Sequence, residues 1–256
     1  MQIVENAADP MHNAFLHAIM SSTGQFSAAF KVLPVLDYPP TPLGFLAMAT
    51  RRIGERVFIR ASDIILPNVG QFPSGGNTAE QEECVTRPGI TRWVVPVDNE
   101  NSFYIGFGYV NGYNSRQRPI SRDSYGVGKM PVLGQTADRP YEERQREPGD
   151  YDAVVSQGRI ANRKNEHLGT SDRGVAMLRR MLTQAIKAER FDPPSKGVVR
   201  TYAHTVVLRC PGEIDLAAFG RRTAEVFVET ASLPPLEREK VAEEKIRRLL
   251  ELERQT

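Results

Sequence analysis

The chain has 256 residues, of which 33 are lysine or arginine and 31 aspartate or glutamate, for a formal net charge of +2. Such balance, with no long basic run, excludes a nucleic-acid binder driven by phosphate neutralisation. Its two cysteines, Cys84 and Cys210, are too few for a disulfide framework, a cysteine-built zinc site or a thiolate-held iron–sulfur cluster. No apolar stretch approaches ~18 residues, and the N-terminus lacks a basic segment followed by an apolar one, so no membrane partner is expected and a cytoplasmic, reducing setting is.

The first twenty residues read as a helix. Asp9 is a cap, Pro10 suits a first helical position, and Met11, Phe15 and Ile19 form an apolar stripe with Leu16 and Met20 beside it. Ser21 to Gly24 end it. Residues 37–44 are a proline-rich connection, 45–66 turn to short β-type runs, and 67–80, with two prolines and three glycines, read as a loop. Residues 91–97 and 102–110 are strand candidates joined by a turn at Asp98–Asn101, an antiparallel hairpin. The aromatics there (Trp93, Phe103, Tyr104, Phe107, Tyr109) are expected in the core.

Residues 111–149 are polar and arginine-rich, the pattern of a long lid, binding loop or interface arm. Helices are predicted over 151–161 and from a cap at Ser171 or Asp172 through Ile186, and a strand over 201–208. The tail from Leu236 to Arg254 is a charged helix with i,i+4 pairs Glu243/Arg247 and Glu244/Arg248 and a narrow apolar edge of Ala242, Ile246 and Leu249. Helices flanking a strand-rich middle predict an α+β domain with an antiparallel sheet. Gly-x-Gly-x-x-Gly, P-loop, Gly-x-Ser-x-Gly and His-Glu-x-x-His patterns are all missing from the sequence, which removes the usual support for dinucleotide, nucleotide, α/β-hydrolase and zincin readings.

Chemistry concentrates near the N-terminus, where Asn6, Asp9, His12 and His17 follow the spacing N-x2-D-x2-H-x4-H. Asp9 and His12, three apart, share a helix face. His12 and His17, five apart, differ by about 140° around an ideal helix, so joint ligation of one ion predicts a break or bulge between them. His167 and His204 are read as structural.

The string from Val4 to His17 resembles the mononuclear-iron motif of Rieske non-haem iron oxygenases, in the phthalate-dioxygenase-like branch of α subunits, with N-x2-D-P-x-H-x2-F-L-H matched at every position. The resemblance continues over residues 146–183. It implies a helix-grip fold, a curved antiparallel sheet around a long helix, with residues 1–230 as the catalytic domain and 231–256 as a separate charged helix. It also implies Fe(II) held by His12, His17 and a carboxylate, which leaves coordination positions open for dioxygen. Counting eight residues back from Gly158 gives Asp150 as that carboxylate, with Asp152 the competitor and helix capping the other use for Asp150. Asp9 would orient a ligating histidine and relay electrons, and Asn6 would lie near the iron without ligating it.

The family's other half holds a [2Fe–2S] cluster through C-x-H and C-x2-H pairs, and neither pair occurs in this sequence. Electrons would then come from NAD(P)H through a reductase and a separate Rieske protein. The resemblance implies hydroxylation or O-demethylation of an aromatic substrate by a homo-oligomer, typically a trimer. A non-redox binding pocket for a hydrophobic ligand and an inactive truncated fragment are the alternatives.

Overall fold

Pro10 decides the shape of the N-terminus. It supplies no N–H and disfavours helical backbone at Asp9, so the predicted single helix is two: α1 (Gln2–Ala7) and α2 (His12–Ile19). The computed structural model describes residues 1–19, 28–74, 79–108, 139–146, 148–188 and 201–254. Most of the predicted 111–149 loop, the helix end at Ser21–Gly24 and the strand residues Tyr109 and Val110 lie outside them. Phe15 of the predicted apolar stripe is 61% exposed, so that stripe is not a simple buried face.

The strands are β1 (Val35–Asp37), β2 (Pro40–Thr41), β3 (Gly44–Ile53), β4 (Arg56–Ile65), β5 (Val69–Pro73), β6 (Glu83–Val85), β7 (Pro88–Pro96), β8 (Ser102–Gly108) and β9 (His204–Arg209). All pair antiparallel, in the order β1-β3-β4-β5-β7-β8. The sheet forks at β4, whose first half pairs β9, itself flanked by β6, while its last residues pair β5. The helices that follow β8 are α3 (Tyr141–Arg146), α4 (Asp150–Ser156), α5 (Arg173–Lys187), α6 (Leu216–Glu229) and α7 (Pro235–Glu253).

Alternation along β3 and β4 sorts the core into two sides. Leu46, Met48, Val57, Ile59 and Ala61 join Val206 and Leu208 of β9 beneath α6 and α7, where Phe219, Phe227, Ala242 and Ile246 are fully buried. Phe45, Ala47 and Ile64 point to the opposite face and meet Ala8 and Leu178, from the α1 and α5 side. Ala242, Ile246 and Leu250 seat α7 in the larger core, and its outer side carries the expected Arg247–Glu243 and Arg248–Glu244 pairs. The result is an α+β architecture built on a large curved antiparallel sheet, compatible with the helix-grip arrangement. Among the described residues no helix is long and apolar enough to cross a membrane.

Candidate metal centre

The break before α2 is organised by Asp9. Its Oδ1 accepts a hydrogen bond from the Met11 N–H at 2.9 Å, closing the turn that the proline forces. Its backbone carbonyl meets Nδ1 of His12, the first residue of α2, and its Oδ2 lies 3.6 Å from the same nitrogen. Fixing Nδ1 in this way leaves Nε2 of His12 as the nitrogen presented to the interior. Burial pulls the His12 imidazole towards its neutral form, but Asp9 and Asp150 outweigh it and hold its pKa above the usual histidine value.

Asp150 arrives from the far side of the sequence as the first residue of α4. Its Oδ1 is 3.5 Å from Nε2 of His12 and 3.4 Å from Nε2 of His17, and the Asn6 amide donates to it at 3.4 Å. The two imidazole rings lie 5.2 Å apart and tilted by 59°. One donor atom from each of His12, His17 and Asp150 falls within 4.8 Å of the other two. This is the donor set, two imidazoles and one carboxylate, that suits Fe(II) with open positions. His17 is buried at 4% exposure, while His12 and Asp150 keep partial access to solvent.

The predicted break between the histidines does not occur: α2 runs unbroken from His12 to Ile19. The rings meet because His12 sits at the helix start, where its ring is turned by Asp9, and because Asp150 enters between the two.

Asp152 is held elsewhere. Its Oδ2 accepts from Arg139 Nη2 at 2.8 Å and from the Gly149 N–H at 2.9 Å, and its Oδ1 from Arg144 Nε at 2.5 Å. Burial raises the Asp152 carboxyl, but the Gly149 N–H and the two guanidiniums overcome this and hold it below the ordinary range. The capping function therefore falls to Asp152, at the third position of α4, and Asp150 is left to face the histidines. Gly158, with φ of +82°, closes the same helix, so the spacing from Asp150 to the glycine is the length of α4 plus its terminating turn.

The other two histidines stand apart. His204 is fully buried and stacked 3.8 Å from the Phe227 ring, and His167 is exposed. The expected core aromatics of the hairpin behave differently from the prediction. Phe103, Tyr104 and Phe107 are 65%, 47% and 54% exposed, on a strand that is the last of the sheet among the described residues. Tyr104 lies on the face shared with the metal cluster and receives a hydrogen bond from Arg92 Nη1. The glycines that alternate with large residues in Phe103-Tyr104-Ile105-Gly106-Phe107-Gly108 were the available signal, since a strand packed on both faces does not spend two positions that way.

No family model matches the chain. Two characterised relatives do. The chain is 38% identical over 207 residues to a tert-butanol monooxygenase / tert-amyl alcohol desaturase oxygenase subunit from Aquincola tertiaricarbonis, covering 76% of this chain and 44% of the relative. It is 32% identical over 190 residues to a phenoxybenzoate dioxygenase subunit alpha from Ectopseudomonas oleovorans, covering 73% of this chain and 42% of that relative. The chain thus spans less than half the length of the relatives it matches. The iron-site motif across α1 and α2, together with these two oxygenase subunits, places the chain in the Rieske non-haem iron oxygenase family.

Proposed function

We propose that this chain is the catalytic part of an oxygenase in which His12, His17 and Asp150 hold a mononuclear Fe(II). The observation that carries the reading is the approach of two imidazole Nε2 atoms to one carboxylate oxygen at 3.5 and 3.4 Å. Bound there, the iron would supply the one-electron chemistry that dioxygen requires to react with an organic molecule. The chain's own residues have definable parts. Asp9 orients His12 through Nδ1, the Asn6 amide steadies the Asp150 carboxylate, and the burial of His17 keeps bulk water from that side of the site.

The substrate is an aromatic compound that is hydroxylated or O-demethylated. The aromatic ether acid in the name of one relative favours this class. Electrons come from NAD(P)H through a reductase and a Rieske [2Fe–2S] centre outside the residues of this chain. Asp9, whose side chain is 28% exposed at the α1–α2 turn and contacts His12, is the group that would link such a donor to the site. The working form is a homo-oligomer, a trimer in the branch this motif resembles.

Anaerobic Fe(II) titration followed by oxygen uptake with an added Rieske donor and reductase tests the reading. The wild-type chain retains one iron and consumes oxygen in the presence of an aromatic substrate, and the His12→Ala/His17→Ala double variant does neither. Full iron retention by the folded double variant would sink the proposal.

A further inference from the structure

Arg92 is placed unusually for an arginine on a sheet. Register puts it between Gly70 of β5 and Gly106 of β8, so no side chain flanks it on either neighbouring strand. A Cβ added at Gly106 would come within 2.9 Å of the Thr91 carbonyl and 3.1 Å of Arg92 Cβ, and one at Gly70 within 3.2 Å of the Phe72 ring and 3.6 Å of Ala7. Ala7 closes α1 and follows Asn6, the residue that hydrogen-bonds Asp150. The space over both glycines is thus taken up by their neighbours, Arg92 among them, on the sheet face that carries the His12–His17–Asp150 cluster, with Ala7 at the end of α1 close by.

The Arg92 guanidinium rests 3.8 Å from the Phe72 ring centroid and donates through Nη1 to the Tyr104 hydroxyl. Among the described residues it makes no ion pair. Tyr104 accepts from Arg92 and so retains its own O–H as a donor. Phe72 and Ile90 add apolar surface on the same face, and Ile90 is 49% exposed.

We infer that Arg92 and Tyr104 form a carboxylate-binding subsite, which anchors the acid group of a flat aromatic monocarboxylate with its ring turned towards the metal centre. A guanidinium that meets no carboxylate among the described residues matches one negative charge. Its planar fork and the phenolic O–H offer parallel donors to two carboxylate oxygens. This rests on the oxygenase reading for its location beside the iron site, but not for the anion recognition itself.

The test titrates the metal-free chain with sodium benzoate and with benzyl alcohol by calorimetry, alongside a separate Co(II) titration. Wild type binds benzoate about tenfold or more tightly than benzyl alcohol. Arg92→Met, with its far-ultraviolet circular dichroism unchanged, loses that preference and keeps Co(II) affinity. Tyr104→Phe, which removes one half-exposed hydroxyl and leaves the ring, loses about three- to tenfold in benzoate affinity and serves if Arg92→Met fails to fold. Equal affinity for acid and alcohol in wild type, or an unchanged preference in both variants, overturns the subsite. Loss of Co(II) binding on its own would count against the metal centre and leave the subsite standing.

Discussion

Two ionisable groups beneath α6 and α7 are held in their neutral forms by burial, and their effects on stability oppose each other. Asp63 and His204 are both fully buried, on the sheet face that carries the larger core. Burial pushes the Asp63 carboxyl from 3.8 up to about 7, and the His204 imidazole from 6.5 down to about 3. With its folded value raised, Asp63 keeps a proton that the unfolded chain releases. Its contribution is full below pH 3.8 and lost as pH climbs to about 7. His204, with its folded value lowered, refuses a proton that the unfolded chain takes. Its contribution is full above pH 6.5 and lost as pH falls towards 3. Each effect has a slope of about 1.4 kcal/mol per pH unit, with opposite sign, so between pH 4.5 and 6.5 they cancel in the wild type. His204→Asn, which keeps a donor for the Tyr202 carbonyl, leaves Asp63 uncompensated. Relative to wild type, its unfolding free energy should fall by about 3 kcal/mol from pH 4.5 to 6.5. Asp63→Asn, which still accepts from the Tyr202 N–H, should gain about 3 kcal/mol over the same interval. Urea denaturation followed by circular dichroism at pH 4.5, 5.5 and 6.5 reads these differences directly. Variant curves that run parallel to wild type across this range would refute the assignment of neutral forms to both groups.

Gly174→Ala should destabilise the chain by about 1–3 kcal/mol, read as a lowered urea midpoint, because the new Cβ would stand 2.3 Å from the Ala8 carbonyl and from the Tyr38 ring. Asp152→Asn, which weakens the grip of Arg139 and Arg144 on α4, should lower Co(II) affinity about tenfold, against about a hundredfold or more for Asp150→Asn. An equal loss in the two variants would remove the distinction between holding and ligating. The thiols should react slowly with a disulfide reagent at pH 8 until denaturant is added, since burial pushes Cys84 up to about 12 and Cys210 is buried.

Local patterns were legible where one element's own residues settle its state. The β7–β8 hairpin, α5 and the charged face of α7 follow from alternation, capping and i,i+4 pairing. The elements that escaped depend on distant partners. β5 reads Val-Gly-Gln-Phe-Pro, with the punctuation of a loop, and becomes a strand because β4 and β7 offer edges on both sides. α6 carries Gly220 in its interior, a residue that weakens a helix taken alone. Its cost is accepted because a Cβ there would approach Thr50 Oγ1 to 2.7 Å, so the glycine lets the helix lie close against β3. The signal that would have recovered α6 was its cap, Asp215, whose carboxylate takes the Ala217 and Ala218 N–H groups.

The His12–His17–Asp150 cluster was legible as a set of residues and misread as a geometry. Treating His12 and His17 as two points on an ideal helix makes 140° of separation look prohibitive, which is why a break was expected between them. That argument assumes that the third donor lies above one face of the helix. Asp150 instead reaches in from α4 and sits between the two rings, so neither ring has to leave its own side. Asp150 and Asp152 differ in a similar way. Two carboxylates two residues apart at a helix start point in different directions, and each is disposed of by what it meets. Asp152 meets Arg139, Arg144 and the Gly149 N–H, which leave it little capacity for a metal. Asp150 meets two imidazoles and an amide, groups that are themselves able to share a cation with it. Capping and contact with the histidines are thus divided between neighbours, and the division accounts for both acids in the first turn of so short a helix.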